Sequence, residues 1–391
     1  MIDQIQTVIN LGNGKLRKYS EPTFASLYKL RTKIDLISGK EEIFDGQQLL
    51  NQWDDQELQD SKKVFHLFYE LGYLIEGIES KTYHKHNPIL AIEIHYSKSE
   101  DLKTPEKFSP TRLYEYYREL YGVYRASFNS GYDALMRGDC YQFNLTYPFR
   151  YESDSKLKFE SLCSFLFSNK ERTGAYAHLT YLPTFKKIYL SNSPECLFQG
   201  KMEEDYLKLW TMPIKGTIQC SDLEVGEKWK ELKRSVKDQA ELFMITDLLR
   251  NDMTRIEQSP SKVVKKKLPL KVPGLLHQYS LIEVNLSKAI TLKKVLQGLF
   301  PGGSITGAPK KRVMSILDVL ESEPRGFYCG STVILDEDII AASINIRSGE
   351  YDLPSKMLKI HAGGGITLES DCDHEFLEMQ AKRDSFLSLF T

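Results

Sequence analysis

The chain has 391 residues, 41% of them hydrophobic and 27% charged, the composition of a globular protein with a large core in one big domain or two ordinary ones. Its 52 Lys and Arg nearly balance its 53 Asp and Glu, so no charge excess points to nucleic acid or to an anionic membrane. Six scattered cysteines without a Cys-x-x-Cys pair argue against a zinc cage or a disulfide framework, and neither a long apolar run nor a basic, apolar leader is visible, so a cytoplasmic protein is expected.

Residues 1–105 read as mixed strands and helices without recognisable chemistry. The clearest strand there is 90–96, followed by a polar loop over 97–105. A helix is predicted over 109–137, opened by Ser109-Pro110 and stopped by Gly138. Strands follow at 141–147, 175–182, 187–191, 196–199 and 207–212. A helix over about 235–251 carries Ala240, Phe243, Met244 and Leu248 on one stripe, and another begins at Pro309 with Val313, Ile316, Leu317 and Leu320 on its apolar face. Stretches 328–335, 339–346 and 357–362 read as a closing sheet, and a last helix spans about 373–389. Strands grouped between isolated helices give an α+β class, and no internal repeat is present.

Residues 301–310 read Pro-Gly-Gly-Ser-Ile-Thr-Gly-Ala-Pro-Lys. Gly302 and Gly307 are spaced as in a nucleotide P-loop, but Ala308-Pro309 stand where the phosphate-reaching lysine belongs. What remains is a structural turn, or an anion site for a carboxylate at a helix start. Gly363, Gly364 and Gly365 leave a strand, either as an edge bulge or where something passes close to the main chain. Glu375, Glu378 and Lys382 share one face of the last helix, apart from the apolar stripe of Phe376, Met379, Phe386 and Phe390; Asp238 and Glu241 are likewise three apart. Alone, each set reads as a solvated face. Converging from two helices, they would make an oxygen site for Mg²⁺. Arg347 ends an apolar strand, as an edge charge or a bidentate carboxylate clamp. Glu195, in Ser193-Pro194-Glu195, and His277 are acid–base candidates, although such residues are more often solvated or structural. Lys215 stands in Met-Pro-Ile-Lys-Gly-Thr at 212–217. An ordinary surface lysine is the default reading, but a lysine sheltered at a strand end loses part of its preference for the charged form, and its free amine is a nucleophile.

Segments 212–217, 301–310 and 361–371, with 237–252 and 375–378, together resemble the chorismate-utilising enzymes, the family of anthranilate, aminodeoxychorismate, isochorismate and salicylate synthases. The resemblance covers roughly 115–391 and is weak before 110. It implies a large single fold of packed antiparallel sheets flanked by helices, with an N-terminal region (1–110) packed on a catalytic domain (111–391). By resemblance, Thr306 and Gly307 touch chorismate, and the amides of Gly363, Gly364 and Gly365 face a substrate carboxylate. Arg347 and Tyr328 bind the enolpyruvyl carboxylate, and Lys382 is a further substrate contact. Mg²⁺ bridges to the ring carboxylate through Glu241 and Glu378, with Glu375 direct or through water. Glu195 is the implied general acid, and His277, three residues before Ser280, a second acid–base group.

Gln142 stands where the water-using branches carry a lysine, which implies the ammonia-using side of the family. Lys215 stands where anthranilate synthases carry alanine, and a lysine there is typical of the aminodeoxychorismate synthase component I branch. The implied reaction has Lys215 attack ring carbon 2 while the 4-hydroxyl leaves with a proton from Glu195. Ammonia then adds at carbon 4, giving 4-amino-4-deoxychorismate on the way to p-aminobenzoate and folate. No Gly-x-Cys-x-Gly glutaminase motif is present, so a separate glutamine amidotransferase subunit is the expected partner, and no fused pyridoxal-phosphate lyase is expected after the last helix. Two departures stand out: Ile218-Gln219-Cys220 replace the usual Arg-Pro-Arg, and Leu242 replaces a His or Asn. The rival readings are anthranilate synthase component I and a non-catalytic chorismate-binding subunit.

Overall fold

The computed structural model of the protein describes residues 4–12, 14–58, 62–116, 121–221, 223–272 and 275–391, without the side chains of His84, Lys237, Val272 and Leu275. The chain opens with strands β1 (Gln6–Asn10), β2 (Leu16–Lys29), β3 (Thr32–Asp35), β4 (Glu41–Ile43), β5 (Lys63–Leu67) and β6 (Ile89–Leu102). Short helices α1 (Leu49–Gln52), α2 (Leu71–Ile75) and α3 (Lys81–Lys85) are set among them. Next come β7 (Leu113–Glu115), α4 (Tyr121–Met136), β8 (Gln142–Ser153), α5 (Phe159–Phe167), β9 (His178–Leu182) and β10 (Lys187–Ser191). Strands β11 (Cys196–Met202), β12 (Leu207–Thr211) and β13 (Ile214–Gln219) lead into α6 (Val225–Arg234) and α7 (Val236–Arg255). A long hairpin, β14 (Lys262–Val272) and β15 (Leu275–Leu286), precedes α8 (Leu292–Leu299), α9 (Gly303–Thr306), β16 (Gly307–Ala308) and α10 (Lys310–Leu320). The chain closes with β17 (Ser331–Asp336), β18 (Ile339–Ile344), β19 (Ser348–Asp352), β20 (Met357–Ile366) and α11 (Cys372–Leu387).

All strand pairs are antiparallel. The ladder runs β15–β12–β11–β18–β17–β5–β6–β2–β1–β9–β10–β19–β20–β8, with β13 and β14 on the two sides of β15. Helices α4, α5, α10 and α11 cover the β8/β20 region, burying Phe128, Phe143, Leu162, Val313, Ile360 and Met379 together. Helices α7 and α8 cover the other end, with Ile245, Leu249, Leu296 and Val284 in one cluster. This is the expected α+β fold of packed antiparallel sheet flanked by helices. Residues before 110 supply strands inside the same network, since β5 pairs directly with β17.

Several boundaries differ from expectation, for packing reasons. The strand at 90–96 continues to Leu102 through the expected polar loop, because β2 supplies a partner along that stretch (Leu16↔Leu102, Ser20↔Lys98). Where the helix was expected from 109, residues Leu113–Glu115 instead form β7, paired with β8, and the helix is described from Tyr121; residues 117–120 lie outside the described residues. On α7 the buried stripe is Leu242, Ile245, Leu249 and Met253, while Phe243 is 68% exposed, so the apolar face is rotated from the expected one. Apolar residues on both sides of that helix made its periodicity ambiguous. The β14 hairpin was not expected, because Lys265-Lys266-Lys267 hides the strand alternation; Pro273 and Gly274 lie outside the described residues.

Candidate active site

Lys215 lies on β13, which pairs with β15 and carries a register shift between Lys215 and Thr217. Gly216, at the shift, has φ +75°, and a Cβ there would stand 2.8 Å from Gln278 Nε2 and 3.1 Å from Asp238 Cβ. Only glycine meets both demands at this position. The close approach brings the first turn of α7 against the Lys215 strand, and Gln239 Nε2 donates to Gln278 Oε1 at 2.6 Å to hold it there. The Lys215 side chain is half-buried and makes no hydrogen bond or ion pair among the described residues. Across the ladder, His277 Nδ1 is 2.8 Å from Thr217 Oγ1. Burial lowers the His277 pKa, the nearby Arg347 charge lowers it further, and a backbone contact with Gly216 opposes both. Ile218 and Gln219 extend β13 by pairing with Leu276 and Leu275, a ladder that a proline at 219 would interrupt.

Glu195 is locked through its backbone. Its carbonyl accepts from Ile344 N at 3.0 Å, and its own N–H donates to Ser193 Oγ at 3.2 Å. The Ser193 hydroxyl donates to Ile344 O at 2.5 Å. Burial raises the Glu195 carboxyl above the ordinary range, against the charges of Lys215, Arg347 and Lys382 and a hydrogen bond from Ser304. One carboxyl is thus ringed by cations from three separate elements. Arg347 stands in the β18–β19 turn at φ +48°, with its carbonyl accepting from Asn192 N, and its guanidinium makes no hydrogen bond among the described residues.

The glycine segment 301–310 folds as α9, β16 and the start of α10. Thr306 is fully buried and its hydroxyl donates to Gly302 O at 3.0 Å, so this side chain serves the loop itself. Gly307 has φ +137°, and a Cβ there would stand 2.2 Å from Gln142 O, where β16 pairs with β8. Gln142 is buried and its amide lies over Gly365: a Cβ at 365 would be 2.5 Å from Gln142 Nε2. The three glycines do not leave a strand as expected. They continue β20, paired to Thr146, Leu145 and Asn144 of β8, because glycine lets neighbouring groups crowd the strand without ending it.

On the other face, a Cβ at Gly364 would stand 3.1 Å from Glu375 Oε2 and 3.6 Å from Lys382 Nζ, both on α11. Lys382 Nζ donates to Gly363 O at 3.1 Å and pairs with Glu378 Oε1 at 2.7 Å. Glu375 is buried and accepts from Ser370 Oγ at 2.7 Å. Glu241 follows Asp238 by three residues on α7 and so shares the helix face that abuts Gly216. Among the described residues no three Asp, Glu, His or Cys side chains form a metal-holding group. The donor chemistry of the expected carboxylates suits a hard cation; on α11, Glu378 pairs with Lys382, and Glu375 accepts from Ser370 just before that helix.

Tyr328 is buried and stacks on His361 (5.5 Å, 18°), beside a small cavity bounded also by Arg325 and Ser348, the neighbour of Arg347. Ser304, His361, Asp252 and Lys310 were missed from sequence. Lys310 closes the glycine segment and Asp252 ends the α7 motif, but nothing in a single sequence shows that two charges so far apart are buried together.

The profile of a family described as chorismate binding enzyme matches residues 52–388. Aminodeoxychorismate synthase component 1 of Salmonella typhimurium is 34% identical over 255 residues, 62% of this chain and 52% of that protein. Anthranilate synthase component 1 of Saccharolobus solfataricus is 35% identical over 229 residues, 56% of this chain and 51% of that protein. The chain spans about half the length of the curated relatives it matches. Among solved structures, anthranilate synthase component I from Streptococcus pneumoniae TIGR4 superimposes with a TM-score of 0.76, covering 99% of this chain and 93% of that one at 18% identity, a likeness of fold.

Proposed function

The chain belongs to the chorismate binding enzyme family, and on that premise we propose that it converts chorismate and ammonia to 4-amino-4-deoxychorismate. The observation that carries this reading is the Lys215 side chain, without a hydrogen-bond or ion-pair partner among the described residues, beside the raised carboxyl of Glu195, with Arg347 and Lys382 close by. The two cations suit a dianionic substrate, with Arg347 as the clamp for one carboxylate. Tyr328, the 306–307 backbone and the Gly363–Gly365 stretch shape the remainder of the pocket, and Gln142 stands in place of a basic residue that would activate water. His277, whose pKa is lowered by burial and by Arg347, is assigned a supporting role in proton traffic.

Lys215, as the free amine, attacks ring carbon 2. Both double bonds of the ring diene shift, the carbon 4–oxygen bond breaks, and the departing hydroxyl takes a proton from Glu195 and leaves as water. Ammonia then adds at carbon 4, both double bonds shift back, and the bond to Lys215 breaks; the proton lost by ammonia returns to Glu195. A carboxyl whose pKa burial raises fits both proton steps. Mg²⁺, when bound through Glu241, Glu375 and Glu378, would supply positive charge to the ring carboxylate.

The name component 1 borne by the relatives supports an ammonia-supplying partner, which we infer to be a glutamine amidotransferase subunit. No described helix is long and apolar enough to cross a membrane, and a cytoplasmic setting is part of the proposal. The test is incubation with chorismate, Mg²⁺ and ammonia. Product that yields p-aminobenzoate only after a lyase is added supports the reading; anthranilate fluorescence without lyase refutes it in favour of amination at carbon 2, with the Saccharolobus solfataricus relative named anthranilate synthase component 1. Lys215→Ala is expected to abolish 4-amino-4-deoxychorismate formation while chorismate still binds; undiminished output removes the nucleophile role.

A further inference from the structure

We propose that the buried ion pair between Lys310 and Asp252 is a positioning device of the active site, holding the 301–310 loop on α7 so that Ser304 meets Glu195. Lys310 Nζ lies 3.1 Å from Asp252 Oδ2, with side chains only 6% and 1% exposed, and it also approaches Leu299 O at 3.5 Å. The exposed Arg255 is the second cation near Asp252, at 3.6 Å. The pair joins the last turn of α7 to the first residue of α10, where the glycine loop ends. Between those points the loop lies tight on the helix: a Cβ at Gly303 would stand 2.6 Å from Leu248 Cδ2 and 3.7 Å from Asp252 Oδ2. The next residue, Ser304, stands near enough to the Glu195 carboxyl for its hydroxyl to oppose the rise that burial causes there. At its other end, α7 braces Gly216 beside Lys215 through Asp238. A single helix therefore spaces the loop serving the proton donor from the strand carrying the nucleophile, and the ion pair sets the loop's position along that helix.

A buried pair contributes little net stability compared with well-packed apolar residues, so its presence here is accounted for by the geometry it imposes. An ammonium and a carboxylate in buried ion-pair contact define one position of the loop; apolar side chains permit several. Arg347, which we assign to substrate binding, is not on this loop, so the pair is expected to act on turnover more than on binding.

The inference rests on the proposed reaction in that Glu195 is taken as the proton donor, but its test reads turnover of chorismate whatever the product. The double variant Lys310→Met with Asp252→Leu removes both charges at once and avoids stranding either. We expect an unfolding midpoint close to the native one, kcat lowered at least tenfold, and KM for chorismate changed less than threefold. Native kcat in a variant of native stability overturns the proposal, and so does a loss confined to KM. Should the double variant not fold, Lys310→Arg keeps the charge but displaces the loop with a larger fork. It is expected to fold and to lose kcat several-fold at little-changed KM, and native kcat there overturns the proposal equally. If the native enzyme forms anthranilate, the amination reading fails while these kcat comparisons still decide the role of the pair.

Discussion

Replacing Gly307 by alanine tests the close approach on which the loop geometry depends. The new Cβ would lie 2.2 Å from Gln142 O and 2.9 Å from Phe143 Cα, both backbone atoms of β8. An ordinary van der Waals separation is about 3.5 Å, so the loop and the strand must part by about 1 Å. At φ +137°, ψ −171° the residue also sits in a region that side chains avoid, a strain of about 1–3 kcal/mol. Overpacking against a strand that cannot rotate away adds about 1–3 kcal/mol, so we expect a loss of about 2–6 kcal/mol in urea-induced unfolding. Because Ser304 and Gln142 sit on the two parts that must separate, chorismate turnover should fall about 100-fold, the usual cost of a displacement near 1 Å at a catalytic centre. A loss below about 1 kcal/mol with kcat within twofold of native would refute the reasoning.

Arg325→Met should be among the most damaging substitutions outside the catalytic groups. The guanidinium is buried, pairs with Glu321 at 2.7 Å, and donates to Ile305 O at 2.9 Å and to Asn144 O at 2.5 Å. Removing it leaves Glu321 uncompensated, a loss of about 3–5 kcal/mol by denaturant titration, and an effect under about 1 kcal/mol would contradict the burial argument. His178 is buried with its pKa lowered to about 4, burial being the main cause. The unfolded chain binds this proton more readily, so stability is complete above the ordinary histidine value and declines as pH falls toward 4, by up to about 3 kcal/mol. His178→Asn should flatten that part of the stability profile, and an unchanged slope would assign it to other groups. Glu195 has a raised carboxyl and acts when protonated, so kcat should be present below its pKa and decline as pH rises through it. Glu195→Gln should be slow and lack that decline; a variant that keeps the same limb would remove Glu195 as its source.

Much of the site was legible because its chemistry is local in the chain. Glycines at 302, 307 and 363–365, the Ser193-Pro194-Glu195 step and the carboxylates on α7 and α11 are short patterns, and each reads the same before and after folding. The residues that were missed act through distance. His361 stacks on Tyr328, and its buried Nε2 has no hydrogen-bond partner among the described residues. Ser304 reaches Glu195 across more than a hundred residues. The rotated stripe of α7 was misread because apolar residues occupy both of its sides, and only packing against its neighbours selects one.

The sequence by itself determined the class of fold, the family motifs and the identities of the charged groups, because periodicity and short-range spacing are properties of the chain. It also placed a lysine at 215, the residue on which the proposed amination at carbon 4 rests. Tertiary structure decided which groups meet. It set Glu195 among Lys215, Arg347 and Lys382, turned the glycine run into a strand paired with β8, engaged Glu375 and Glu378 with Ser370 and Lys382, and buried Lys310 against Asp252. Charge and burial act through space, and the distances they act over exist only once the sheet has closed around its helices.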